Sequence, residues 1–279
     1  MEQQDELASD QRSVAQICAR YDNDPHRMLD ILRDVQDRLH CISRDTMRTI
    51  AASTGLTEVA VEGVASFYSF LSLEPKGRVT IRLCDDIIDR FAGLPEVAAV
   101  FEQELGISVG ETSADGAVSL EYTPCIGMCD QAPAAMIDDV VLTALTPQKG
   151  RDIATGLKEG KRPQDLIAER FDDLAPYDRV HRMVKNNIRH VGDVLLGPVP
   201  DDAGLKNAID KTPAQIIDQI ADSGLRGCGG AGFTTGMKWR FAANAKADRR
   251  FIICNADEGE PGTFKDRVLL TECPHLLIE

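Results

Sequence analysis

Residues 79–84 read Val-Thr-Ile-Arg-Leu-Cys (VTIRLC): Val79, Ile81 and Leu83 alternate with Thr80 and Arg82, and the run ends on Cys84. A period of two predicts a strand that delivers Cys84 at its carboxyl end. The turn residues Glu74-Pro75-Lys76-Gly77 stand just before it. Beyond it come a helical stretch, Pro95–Leu105, and a second alternating run, Ala117–Thr123, carrying Val118, Leu120 and Tyr122. A Cys125–Cys129 turn leads to two short strands, Ala134–Ile137 and Val140–Ala144, joined by Asp138-Asp139. A helix from Pro147 to Lys158 closes the unit. The order β-α-β-β-β-α predicts a small α/β domain over 74–160, with helices packed on one sheet.

On the amino-terminal side, residues 12–73 read as helical. Val14, Ile17, Cys18 and Tyr21 share one helical face, as do Met28, Leu29, Leu32, Val35 and Leu39, with Pro25 between the two runs. A further helix over Thr57–Leu73 carries Val61, Val64, Phe67, Tyr68 and Leu71, whose aromatics are expected in the core. Residues 1–73 are thus a helical platform. Residues 161–205 lack a sustained period and read as a linker. In the last segment, 206–279, Thr212 as N-cap and Pro213 at the first helical position open a helix with Ile216, Ile217 and Ile220 inward. One or two helices and one strand, Arg250–Cys254, offer too little for an independent core there. That segment is expected to be poorly ordered alone, or ordered only against a partner.

The chain has 279 residues, 43% of them hydrophobic, which is enough to build cores. With 31 Lys+Arg against 45 Asp+Glu, the net charge of −14 argues against nucleic acid and anionic membrane surfaces as partners. No run approaches the roughly 20 apolar residues that span a bilayer. The amino terminus, MEQQDELASDQ, is acidic and polar, the reverse of a secretion signal. A cytoplasmic protein is expected, and in that compartment the eight cysteines point to metal ligation or burial rather than disulfides. Cys18, Cys41, Cys254 and Cys273 have no ligand-like spacing and read as small buried hydrophobes.

Residues 224–239, GLRGCGGAGFTTGMKW, hold six glycines within thirteen positions. Gly227-x-Gly229-x-x-Gly232 matches the dinucleotide fingerprint by letter, yet a helix precedes it where a Rossmann unit has a strand. The firmer physical reading is backbone N–H groups that approach a flat or anionic ligand, with Lys238 as a nearby cation. Residues 254–267, CNADEGEPGTFKDR, crowd Asn255, Asp257, Glu258 and Glu260 into six positions. Such a turn suits ribose hydroxyls and amide edges; a solvated acidic turn and a metal site are the other two readings.

Together with PHLLIE at 274–279, these two motifs closely resemble the start of the flavin-binding subunit of respiratory NADH dehydrogenase and its relatives, NAD-reducing hydrogenases and NAD-dependent formate dehydrogenases. The resemblance implies FMN held by Gly227, Gly229, Gly232, Lys238, Asn255, Asp257 and Glu258. It places Phe233, Phe241 and Glu260 against the nicotinamide nucleotide. Hydride would pass from NADH to flavin, and single electrons onward to iron–sulfur clusters. Cys228 departs from the family's usual Arg. The family's second glycine-rich segment and four-cysteine cluster domain are not in this chain, so the FMN/NADH-binding α/β domain is expected to be incomplete.

The 74–160 domain resembles the thioredoxin-like [2Fe–2S] subunit of the same enzymes, whose ligand pattern is C-x4-C, a long gap, then C-x3-C. Here Cys84, Cys125 and Cys129 occupy three slots, and Asp89 stands in the second. Carboxylate is a harder and poorer ligand for iron than thiolate. Two readings follow: a cluster held by three Cys and one oxygen, or a cluster-free scaffold. The fusion of both modules resembles the diaphorase subunit of soluble NAD-reducing hydrogenases, and implies neighbouring electron-transfer subunits as partners. The competing function is a docking scaffold for such subunits; a standalone zinc protein lacks the CxxC pairs of structural zinc sites.

Overall fold

A computed structural model describes residues 2–166, 184–188, 190–192, 196–197, 202–228 and 231–279. Much of the expected linker therefore lies outside the described residues, as do Gly229 and Gly230. The chain divides into one unit of Met1–Lys185 with Glu260–Phe264, and a second of Asn186–Gly259 with Lys265–Glu279.

In the first unit, helices α1 (Glu2–Arg20), α2 (Met28–Leu39), α3 (Arg44–Thr54) and α4 (Glu58–Phe67) form the platform. Side-chain caps fix where they begin: Ser43 accepts from Thr46 N and Thr57 from Ala60 N. Val14, Cys18, Ile31, Leu32, Val35, Ile50 and Val61 are buried together, as their helical periodicity predicts. The fourth helix stops earlier than expected. It ends at Phe67, and Tyr68 is already extended at φ −90° and ψ 119°. Tyr68 packs on the core, but Phe67 is 78% exposed. Six positions beyond Val61, Phe67 points about 240° around the helix from the buried face.

The sheet is ordered β2-β1-β3-β4, with β1 (Val79–Cys84), β2 (Val118–Thr123), β3 (Ala135–Ile137) and β4 (Val140–Leu142). β1 and β2 run parallel, Ile81 opposite Leu120, which requires a crossover; α5 (Ile87–Phe91) and α6 (Leu94–Leu105) supply it. β3 and β4 pair antiparallel to their neighbours. α7 (Pro147–Lys158), opened by Thr146 and Pro147, packs beside α6. Ile81, Leu83, Leu94, Phe101, Leu120, Ile137 and Ile153 make the core beneath them.

The β3–β4 turn is locked to β1 by Asp138, whose N–H donates to Thr80 O and whose Oδ1 accepts from Thr80 N at 2.9 Å. Burial raises the Asp138 pKa from its ordinary 3.8, and the Asp139 charge adds to this. The folded state thus binds this proton at higher pH than the unfolded chain. Asp138 costs stability near neutrality, and the cost disappears as the pH falls through the folded value towards 3.8. Asp138→Asn keeps the acceptor and tolerates the φ of 50°. In urea denaturation the variant is expected to be more stable than wild type at about pH 7.5, with the gap narrowing at about pH 4.5. A gap that widens on acidification would contradict this sign.

In the second unit Thr212 caps the helix Pro213–Asp222 with Pro213 at its first position, as the sequence predicts, and Gln215 completes a reciprocal capping box. Ile216, Ile217 and Ile220 are half-buried rather than enclosed. Thr235–Asn244 packs against this helix through Gly236, where an added Cβ would stand 2.5 Å from Ala221 Cα. In an exposed helix Gly→Ala gains about 1 kcal/mol. Here the clash is with backbone, so Gly236→Ala is expected to destabilise by about 1–3 kcal/mol. Amide exchange within 213–222 and 235–244 should accelerate while that of β1 and β2 stays as in wild type. Slowed exchange in both helices would mean that they do not pack this closely.

The expected strand Arg250–Cys254 is not formed. A strand needs a neighbour for its N–H and C=O groups, and no described residue of this unit pairs with it. Phe251 and Ile253 are 77% and 85% exposed in consequence. Cys254 is exposed as well, against the expectation of burial; Cys18 is buried, and Cys41 and Cys273 are half-buried.

Candidate functional site

The carboxyl end of β1 delivers Cys84 into a pocket where three thiols and two carboxylates meet. Asp86, two residues on, is the N-cap of α5: its Oδ1 accepts from Ile88 N at 2.6 Å and from Asp89 N at 2.9 Å. After β2, Gly127 at φ 78° turns the chain so that its N–H reaches Cys125 Sγ at 3.4 Å. Cys125 and Cys129 Sγ are 3.3 Å apart, and the Cys129 thiol donates to Asp86 Oδ2 at 3.4 Å. Cys84 Sγ, an Asp86 oxygen and Cys125 Sγ all lie within 4.8 Å of one another. Gly262 N donates to Cys129 Sγ at 3.1 Å, so the segment Glu260–Phe264 borders the same pocket.

Asp89, in the second ligand slot, is 1% exposed. Its Oδ1 accepts from Ala134 N at 2.7 Å, while its Oδ2 is buried without a hydrogen-bond partner. Burial raises its pKa to about 6, and the neighbouring Asp86 carboxylate adds to the shift. For Asp86 burial acts in the same direction but is outweighed: the Asp89 N–H and the Cys125 and Cys129 thiols hold its carboxyl below the usual range. Burial pushes the Cys125 thiol up to about 12, raises Cys129, and raises Cys84 further still, with Asp89 and Asp86 contributing at Cys84. Without a cation these thiols keep their protons; ligation by a metal would release them.

In kind, this donor set fits a [2Fe–2S] group in three positions, Cys84, Cys125 and Cys129. The orphaned Asp89 Oδ2 is the oxygen left for the fourth. The carboxylate of Asp86 is the feature that sequence reasoning missed. Its Asp-x-x-Asp spacing signals a helix cap, and only the fold reveals that the cap's second oxygen faces thiols.

The glycine loop folds back on itself: Gly227 N donates to Phe233 O at 3.0 Å, and Arg226 reaches Gly232 O at 3.4 Å. Gly232 takes φ 63°, where a side chain would be strained. The Phe233 and Phe241 rings lie 6.2 Å apart, both at least half exposed. Lys238, between them in sequence, is exposed, with no ion pair among the described residues. Asn255 Oδ1 accepts from Asp257 N at 3.0 Å. Glu258 serves the fold directly: its carboxylate accepts from Asp266 N at 2.8 Å and Arg267 N at 3.2 Å, at the start of the helix Lys265–Glu272. Glu260 groups with the first unit, apart from Asn255, Asp257 and Glu258 in the second. An exposed cation, a glycine turn and two open aromatic faces fit a flat anionic ligand such as FMN in kind.

Residues 14–158 match the thioredoxin-like [2Fe-2S] ferredoxin family, and residues 220–279 match the Nuo51 FMN-binding domain. The alpha subunit of the NAD-reducing hydrogenase HoxS of Cupriavidus necator is 41% identical over 265 residues, which is 94% of this chain and 44% of that protein. One of the subunits of the NADH-quinone oxidoreductase of Escherichia coli is 32% identical over 141 residues, 50% of this chain and 85% of that one. A crystal structure of an NAD+-reducing [NiFe]-hydrogenase in its H2-reduced state superposes with a TM-score of 0.72 at 30% identity, covering 89% of this chain and 40% of the other. The chain thus spans less than half the length of the hydrogenase subunits it matches. With Cys84, Cys125 and Cys129 gathered beyond the ends of a β1–β2 parallel pair, the chain belongs to the thioredoxin-like [2Fe-2S] ferredoxin family, followed at 220–279 by Nuo51-type FMN-binding sequence.

Proposed function

We propose that the chain is the electron-entry component of a multi-subunit NADH:acceptor oxidoreductase of the hydrogenase, formate dehydrogenase or complex I kind. The observation that carries this reading is the presence, in one chain, of a buried thiol pocket and a flavin-type glycine loop, over 94% of its length similar to an NAD-reducing hydrogenase subunit. FMN, when bound, supplies the exchange between two-electron hydride chemistry and single-electron transfer. The glycine backbone at Gly227, Gly229 and Gly232 makes room for it, and Lys238 meets its phosphate charge. Asn255 and Asp257 face its polar edges, with Glu258 holding the turn in place through the helix start at 265. Phe233, Phe241 and Glu260 take the nicotinamide nucleotide of NADH. Cys84, Cys125, Cys129 and Asp89 hold the [2Fe–2S] cluster. The modules are 1–73, 74–160 and 206–279, joined by a 161–205 linker. No helix among the described residues is long and apolar enough to cross a membrane, which suits the cytoplasmic location in this reading.

The carboxylate at position 89 favours a second reading, a cluster-free scaffold that docks neighbouring electron-transfer subunits. A visible spectrum with flavin, iron and sulfide assays on anaerobically purified protein separates the two. Bound flavin together with cluster absorbance is the expected result. A colourless protein that is folded by circular dichroism would overturn the electron-entry reading in favour of the scaffold.

A further inference from the structure

We infer that the cavity between α2 and the polar face of the sheet is a binding site for a mononucleotide, with Arg33 and Arg78 on its phosphate and Phe70 against its base. The site lies wholly in the first unit; it goes beyond the electron-entry reading and does not rest on it. Alternation along β1 creates the space. Ile81 and Leu83 join the core with α6 and α7, so Thr80 and Arg82 face the other way and line a cavity that α2 closes from above. Its volume of about 600 Å³ lies in the range of small-molecule sites.

The walls are fixed from both sides. Gln36 on α2 donates to Phe70 O and accepts from Ser72 N, which holds the Phe70 backbone in place, and the Phe70 ring packs on Tyr68 with centroids 5.4 Å apart. Gly77 rests directly on β2, where an added Cβ would stand 2.7 Å from Val118 C, and its N–H donates to Ser119 Oγ at 2.8 Å. The turn that carries Arg78 is thereby anchored. Lys76 and Arg82 are committed to Glu121, at 2.5 and 2.9 Å. Arg33 and Arg78 are exposed in the same cavity and make no ion pair among the described residues. In a chain of net charge −14, two uncommitted guanidiniums in one cavity point to an anion of phosphate type, whose oxygens match their planar forks. Asp37 and Asp139 line the cavity too, and an ionised carboxylate accepts but never donates. The ligand therefore brings hydroxyl or amino donors along with its anionic group. Leu29, Met136 and the 38% exposed Phe70 add an apolar wall with one aromatic face, which suits a flat base. Phosphate, ribose hydroxyls and base meet all three demands in one molecule, and binding makes and breaks no covalent bond.

The test is calorimetric titration of the full chain with AMP, and in parallel with ribose 5-phosphate and with inorganic phosphate. Saturable AMP binding that survives Lys238→Gln, a change in the glycine loop, is expected. Arg33→Gln and Arg78→Gln, at exposed positions that tolerate substitution, should each weaken it on the order of tenfold or more. Phe70→Ser should weaken AMP binding but leave ribose 5-phosphate as in wild type. AMP binding lost in Lys238→Gln but kept in Arg33→Gln and Arg78→Gln would place the nucleotide in the glycine loop, overturning the inference and leaving the electron-entry reading intact. No saturable binding, or inorganic phosphate bound as tightly as AMP, would overturn it too. AMP binding that depends on Arg33 and Arg78, in a protein that takes neither flavin nor cluster, would uphold the inference and overturn the electron-entry reading instead.

Discussion

Asp89→Cys is expected to retain a [2Fe–2S] cluster on the order of tenfold or more tightly than wild type after incubation with iron and sulfide. The variant completes the C-x4-C…C-x3-C frame at Cys84, 89, Cys125 and Cys129. Two effects act in the same direction. A soft thiolate replaces a hard oxygen at iron, and a carboxylate that opposes ionisation of Cys84 is removed. Changes even in the outer shell of a metal site are worth on the order of 10- to 100-fold in affinity, and exchange of a ligand sets at least that scale. The substitution has a cost in the cluster-free protein: Ala134 N loses its 2.7 Å acceptor inside the fold. That unpaired donor is expected to lower stability by about 1–3 kcal/mol until the cluster is in place. Iron and sulfide per chain, read after desalting, decide the matter. Retention no greater than wild type would show that the second ligand slot is not part of a cluster site.

Phe101→Ala is expected to be the most damaging single truncation of the core beneath the same pocket. Phe101 is fully buried on α6, and its ring lies 3.6 Å from where a Cβ on Gly150 of α7 would stand. α7 thus rides directly on this ring, at a spacing that puts position 150 in ordinary van der Waals contact with it. Truncating a fully buried phenylalanine leaves a cavity, so the loss is about 3–5 kcal/mol. For a unit of this size the thermal midpoint should fall by roughly 10 °C or more. Phe91, 84% exposed at the end of α5, provides the contrast, since Phe91→Ala should stay within about 0.5 kcal/mol of wild type. Calorimetry on the two variants checks both. A Phe101→Ala loss no larger than that of Phe91→Ala would contradict the assigned core.

The elements that were legible in the sequence carry their own local signals. The helix Pro147–Lys158 has Thr146 and Pro147 at its start, and β1 alternates over five residues before Cys84. Thr212 and Pro213 announce their helix through a cap and a first-turn proline that need no tertiary partner. The thiol frame was legible through the family resemblance, whose cysteine pattern Cys84, Cys125 and Cys129 fit in three positions. Phe67 and the run 250–254 misled because burial and strand pairing belong to neighbours. An apolar segment is a strand only where another backbone accepts its hydrogen bonds, and none among the described residues of its unit does.

The sequence by itself therefore determined the platform, the strand order's raw material and the glycine loop, since each rests on short-range periodicity or spacing, while the family resemblance singled out Cys84, Cys125 and Cys129. Tertiary structure alone decided that Asp86, a helix cap by its spacing, turns its second oxygen towards Cys129. It also decided that Gly262, 133 residues further along, donates to that same sulfur, and that Asp89 spends one oxygen on Ala134. These contacts join residues far apart in the chain, and their geometry is set by how β1, α5 and the Cys125–Cys129 turn pack. No local pattern encodes that distance.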